Sequence, residues 1–270
     1  MSAGWWRGAF LGVVQGATEF LPVSSSGHLV LAERLLRLAR PGLALETGLH
    51  LGTLAAVVLA YPRDVRNLLA GVADLCRRRG GPRAELLLLL VLASLPAAAT
   101  GLLLGDAVDR LFGSLAAVAV GWCVSGGALI ASGRLRAGRH RLPGLAGRDA
   151  LWVGALQALA LAPGVSRSGV TIIAGLWRGL SPEEAARFSF LLSLPTVAGA
   201  VILQAGRAVG GGMVADAGLW IGIPVAAAAG FAAIHLCLRR LRQSGDLAPF
   251  GWYCLALGAL CLIGTSLSGG

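Results

Sequence analysis

Gln15-Gly-Ala-Thr-Glu19-Phe-Leu-Pro22-Val-Ser24-Ser25-Ser26-Gly27-His28 interrupts an apolar segment with a proline and a polar run. A related break stands at Pro163-Gly-Val-Ser166-Arg167-Ser168-Gly169-Val-Thr171. Each lies inside a longer, mostly apolar stretch, residues 5–38 and 149–180. Proline disfavours helix at the residue before it. The helical arms leading to the two breaks, about 16 and 14 residues, reach roughly 24 Å and 21 Å at 1.5 Å per residue. That is too short to cross a bilayer core of about 30 Å comfortably. Both segments therefore read as re-entrant helix hairpins.

The rest of the chain agrees with a lipid setting. Of 270 residues, 56% are hydrophobic and 13% charged, against roughly 25% charged in soluble domains, and the mean hydropathy is +0.75. The 40 glycines suit helices that pack closely in membranes. Apolar runs near 48–61, 85–104, 113–132, 184–205, 217–238 and 249–267 are candidate spans. The fold class expected is all-α: a polytopic membrane protein with about six transmembrane helices and two re-entrant hairpins. The chain reads as a single integral membrane domain over 1–270, with repeats over 1–133 and 149–270 joined by a basic linker at 134–148.

The formal net charge is +10, carried by 23 basic residues, all arginine. Six lie in 63–83, five in 134–148 and three in 239–242, each group following an apolar run. The positive-inside rule puts these clusters in the cytoplasm and the links at 105–112 and 206–216 outside. For that alternation to hold, the first hairpin enters from outside and the second from the cytoplasm. No nucleic-acid module accompanies the arginines, so no nucleic-acid partner is expected. The five cysteines show no metal spacing and read as small apolar residues. The N-terminal stretch, broken by Gln15 and Glu19, does not read as a cleavable signal.

The two breaks repeat at an offset of 142 residues: Gly12 with Gly154, Gln15 with Gln157, and Val23–Gly27 with Val165–Gly169. Opposite entry sides make the halves an inverted repeat, a plan that sets the binding site near the midplane where broken helices meet.

Gln15 and Glu19, four residues apart, share a helix face. A carboxylate in an apolar segment marks a functional site by default; the plainer alternatives are a structural Glu19–Arg167 ion pair and a packing amide at Gln15. Ser24, Ser25 and Ser26 precede an apolar helix, where capping explains one hydroxyl but not three, and a helix N-terminus favours anions. His28 fits general acid–base work or assistance to a serine, or a satisfied interhelical histidine. Arg167 suits bidentate phosphate, and Gly164 and Gly169 on either side of it free the backbone for close approach. Together the loops supply a carboxylate, a histidine, an arginine and several hydroxyls. That inventory fits a phosphate ester with a divalent metal.

Gln15–His28 and Pro163–Thr171 resemble the two signature regions of the undecaprenyl-diphosphate phosphatase family, bacterial membrane enzymes associated with bacitracin resistance. Ala185–Pro195 and Leu45–Gly52 also resemble family segments. The resemblance implies hydrolysis of undecaprenyl diphosphate to undecaprenyl phosphate and inorganic phosphate, recycling the carrier lipid for peptidoglycan synthesis in the bacterial cytoplasmic (inner) membrane. It implies Mg²⁺ or Ca²⁺ at Glu19 with Gln15, a diphosphate held by Arg167, and Ser25 or His28 as nucleophile or acid–base. Ser24, Ser26, Gly27, Ser166, Ser168, Gly169 and Thr171 would complete the phosphate cradle. Many family members carry Glu at the position of Gln15, whose amide can hold a cation but cannot act as a base. Glu46 and His50 are expected only to pack near the site or to support its residues from behind.

Two mechanisms are open: Ser25 attacks after losing its proton to His28, or His28 or Glu19 activates water. The alternative function is a polyprenyl-phosphate flippase or transporter using the same site. A homo-oligomer is compatible with the sequence.

Overall fold

The computed structural model describes residues 4–36, 43–135, 138, 141–208 and 217–267, with the backbone alone at 43–44, 143 and 203–208. Every regular element among the described residues is helical. The first hairpin is α1 (Gly4–Phe20) and α2 (Ser25–Leu35); α3 (Leu43–Ala60), α4 (Pro62–Cys76), α5 (Pro82–Phe112) and α6 (Leu115–Ser132) follow. After a 3₁₀ turn at Leu142–Gly144 come the second hairpin, α7 (Gly147–Leu159) and α8 (Arg167–Trp177), then α9 (Pro182–Ala208), α10 (Ala217–Ser244) and α11 (Ala248–Leu267).

Five of these helices are long and apolar enough to cross a membrane, namely α5, α6, α9, α10 and α11, with the shorter apolar run Leu45–Ala60 beside them. The chain is thus a multi-pass integral membrane protein. Two boundaries differ from the sequence expectation. The link expected at 105–112 is helical, since α5 runs unbroken for 31 residues to Phe112. At 1.5 Å per residue that is about 46 Å, more than a bilayer core, and Asp106, Asp109 and Arg110 need not end a helix that has emerged into water. The basic stretch after Tyr61 is not a plain link either. It holds α4, which buries Asp64, Leu68 and Gly71 on one face and exposes its arginines. The link at 206–216 lies mostly outside the described residues.

Ion pairs gather the basic segments at one end of the bundle. Arg187 at the start of α9 binds Asp64 of α4 through two hydrogen bonds, its Nε at 3.2 Å from Oδ2. Arg242 near the end of α10 pairs with Glu183, and Glu184 accepts from the Leu142 amide at 3.2 Å. At the opposite end, Gly8 of α1 lies against Gly218 of α10, and Arg34 of α2 donates to the Gly113 carbonyl at 2.5 Å. The first hairpin therefore starts and finishes at that far end. The second does the same at the basic end, where Asp149 of α7 pairs with Arg178 just beyond α8.

The two halves interlock. Helix α1 packs most extensively on α10, and α7 on α5, so each hairpin's first arm crosses to the other half. Small residues allow the approach: a Cβ on Gly12 would stand 2.7 Å from the Gly222 carbonyl oxygen, and one on Gly16 2.5 Å from that of Ala226. Helices α6 and α11 pack together and flank the two hairpin tips.

Candidate active site

The hairpin tips meet inside the bundle. Both α2 and α8 begin with the same local chemistry: Ser24 Oγ accepts from the Gly27 amide at 3.4 Å, and Ser166 Oγ from the Gly169 amide at 3.1 Å. These are N-cap bonds to otherwise orphaned donors. In each cap a second serine lies alongside, Ser24–Ser26 at 3.2 Å and Ser166–Ser168 at 3.3 Å. The copies are not identical, because Ser24 sits at φ 70°, where non-glycine residues are rare. Strain of this kind concentrates at functional sites.

Helix α6 and α11 hold the loops. Trp122 of α6 donates through its indole to the Val23 carbonyl at 3.0 Å, and a Cβ added to Gly27 would lie 2.8 Å from its ring. Ser125 donates to the Gly164 carbonyl at 3.2 Å and accepts from the Ser166 amide at 2.9 Å. Gly164 adopts φ +85°, and a Cβ there would overlap the Val118 carbonyl oxygen. Ser168 closes the junction by donating to the Leu21 carbonyl at 3.2 Å.

At the centre is the Glu19 carboxylate, contributed by the last turn of α1. Its Oε1 accepts from Arg167 Nη2 at 2.6 Å; its Oε2 accepts from Ser25 Oγ at 2.6 Å and from Gln15 Nε2 at 3.0 Å. The Arg167 side chain is 16% exposed and that of Glu19 7%, so water screens this pair weakly. The ion pair held open in the sequence reading is present, with the candidate serine on the same carboxylate. Arg167 is steadied by a second bond, Nη1 to the Ser189 carbonyl at 3.1 Å. Thr171 lies beside it, its hydroxyl 2.8 Å from the Arg167 carbonyl and 2.6 Å from Ser189 Oγ.

One expected contact is absent. His28 does not meet Ser25: its Nδ1 faces the Ser24 carbonyl at 2.7 Å and its Nε2 the Tyr253 hydroxyl at 2.8 Å. The reason is helical geometry. Three residues beyond Ser25, the imidazole turns back along α2 toward its own cap and outward to α11, while Ser25 points inward to α1. The Ser25 hydroxyl donates instead to the Glu19 carboxylate.

Three further residues join the site. His50 of α3 accepts through Nδ1 from Gln15 Nε2 at 3.0 Å. Ser189 anchors Arg167 and Thr171. Tyr253 engages His28. Of these, Ser189 left a trace in the sequence, a hydroxyl between Phe188 and Phe190 in an apolar run.

The donor set suits a hard cation. Glu19 supplies a carboxylate and Ser25 a hydroxyl, and Gln15 Oε1 is fully enclosed without a hydrogen-bond partner. Mg²⁺ commonly takes one or two protein oxygens and draws the rest from water and substrate phosphate. The residues present fit that arrangement.

The model of the family described as bacitracin resistance protein BacA matches residues 8–260. The chain is 38% identical over 266 residues to undecaprenyl-diphosphatase 3 of Bacillus cereus, covering 96% of both chains. It is 39% identical over 266 residues to undecaprenyl-diphosphatase of Desulfosudis oleivorans, covering 95% of this chain and 97% of the other. To undecaprenyl-diphosphatase of Alcanivorax borkumensis it is 39% identical over 260 residues, with 96% and 98% covered.

Proposed function

This chain belongs to the bacitracin resistance protein BacA family, and from that premise we propose how its site works. The protein is an undecaprenyl-diphosphate phosphatase. It hydrolyses undecaprenyl diphosphate to undecaprenyl phosphate and inorganic phosphate, recycling the carrier for cell-wall synthesis and conferring bacitracin resistance. The observation that carries the mechanism is the convergence of Ser25 and Arg167 on Glu19.

In our reading Ser25 Oγ attacks the terminal phosphorus and passes its proton to Glu19 Oε2. The bond from that phosphorus to the bridging oxygen breaks, and undecaprenyl phosphate leaves with the electron pair. Water then attacks the phosphoserine and the bond from phosphorus to Ser25 Oγ breaks; Glu19 returns its proton to Ser25 Oγ, and the proton that water gives up leaves to bulk solvent. Arg167 keeps N–H donors beyond those committed to Glu19 and Ser189, and these face charge developing on the phosphoryl oxygens. The N-termini of α2 and α8 add unpaired amides and positive dipole ends. Ser24, Ser26, Gly27, Ser166, Ser168, Gly169 and Thr171 line the cradle around them.

A divalent cation, Mg²⁺ or Ca²⁺, would be held by Glu19 and Gln15 and would supply charge neutralisation on the diphosphate. We read the two halves as inverted repeats in the bacterial cytoplasmic membrane. Helix caps copied at both tips and basic segments gathered at one end support that reading. Translocation without hydrolysis, the rival function, gives the Ser25–Glu19 contact no task.

The test is phosphate release from undecaprenyl diphosphate by purified protein in detergent, with and without EDTA. Release of phosphate and undecaprenyl phosphate in equal amounts, lost with EDTA and restored by Mg²⁺ or Ca²⁺, is the expected outcome. Lipid transfer across vesicles without phosphate release would favour the rival.

A further inference from the structure

His28 is the one expected acid–base residue that the Glu19 cluster leaves out, and its surroundings define what it can do. The Ser24 carbonyl can only accept, so His28 Nδ1, 2.7 Å away, carries the proton. In the neutral ring Nε2 then bears the lone pair, and the Tyr253 hydroxyl at 2.8 Å is its donor. The two rings are also stacked, with centroids 5.7 Å apart and planes 4° from parallel. Trp122 closes the other side edge-on, with centroids 5.2 Å apart. The ring is thus fixed by two hydrogen bonds and two aromatic faces, while Tyr253 itself is half-exposed. A hydrogen bond to the second ring nitrogen sets both tautomer and orientation of a histidine.

We propose that Tyr253, from α11, is a positioning residue for the reaction: its hydroxyl caps Nε2 of the His28 tautomer that the Ser24 carbonyl selects and holds that acceptor nitrogen away from Ser25. The inference rests on the phosphatase reading above. Glu19 serves Ser25 in the attack, and His28 is kept in one tautomer at the rim of the cradle. If a proton reaches Nε2, the same contact survives with its direction reversed, His28 donating to the phenol oxygen. Tyr253 thereby accommodates both charge states of His28 without moving it.

The test uses full-length protein in detergent and two readouts. Tyr253→Phe keeps the stacking ring and removes only the hydroxyl. It should lower kcat roughly tenfold, the worth of one well-placed hydrogen bond, with KM unchanged. His28→Gln should cost more, and adding Tyr253→Phe to it should cost nothing further. An independent loss in the double variant, or a rise in KM with kcat unchanged, would overturn the inference. The second readout needs no turnover. Diethyl pyrocarbonate acylates a free imidazole nitrogen, and peptide mapping should show His28 reacting several-fold faster in Tyr253→Phe than in wild type. An unchanged rate overturns the inference alone, whereas a wild type that releases no phosphate sinks the phosphatase reading.

Discussion

Ser25 and Arg167 occupy equivalent positions, 142 residues apart in the two halves, and both donate to the carboxylate of Glu19 at 2.6 Å. The serines on either side of them are copied between the halves; the central residue is not. One tip carries a hydroxyl that can be made a nucleophile, the other a cation that can hold its target. Related caps have thus been turned into two complementary parts of one site.

Arg167→Lys should lower activity about 10- to 100-fold and raise KM. A single ammonium cannot reproduce the fork that spans Glu19 and the Ser189 carbonyl while leaving donors for phosphate. Steady-state phosphate release checks this. A lysine variant with wild-type KM would mean that Arg167 serves only as a partner for Glu19.

Ser25→Ala should remove nearly all turnover. Brief reaction of wild type with substrate labelled on the terminal phosphate, quenched in acid, should leave label on the peptide containing Ser25. Substantial activity in Ser25→Ala would instead assign the attack to water activated by Glu19.

Much of this was legible in the sequence. The prolines at 22 and 163 marked the hairpin tips, and the lone carboxylate and arginine marked the centre. Hydrophobic patterning gives the face a side chain takes on its own helix, but not which helix crosses it. That is why the sequence points Ser25 to His28, its near neighbour on α2, while the folded chain sets the Ser25 hydroxyl on Glu19 of α1. It is also why Tyr253 and the His50–Gln15 contact emerged only from packing. Helix α4 was missed for another reason: its arginines dilute an apolar face that lies against the bundle.

Gly164→Ala should destabilise the protein by about 2–4 kcal/mol, combining a strained positive φ with overpacking. Thermal unfolding in detergent would read it as a lower midpoint. Gly27→Ala should act on the same loop through Trp122, whose ring must shift to admit the new methyl. An unchanged midpoint for Gly164→Ala would show that the second tip is not packed on Val118 as described.

Asp64→Asn should cost about 1–3 kcal/mol, since Arg187 is partly exposed and keeps Glu184 at 3.3 Å as a second partner. Turnover at low temperature should stay within about twofold of wild type, because this clamp is remote from Glu19. Loss of activity without loss of stability would tie α4 to the chemistry instead.

The most direct measurement is phosphate release from undecaprenyl diphosphate by wild type, Glu19→Ala and Arg167→Ala, assayed side by side with saturating Mg²⁺. A site built jointly by the two tips predicts robust release by wild type. Each variant should fall by roughly 100-fold or more, as when a transition-state charge partner is removed. Either variant retaining more than about a tenth of wild-type activity, while folded by thermal unfolding, would contradict it.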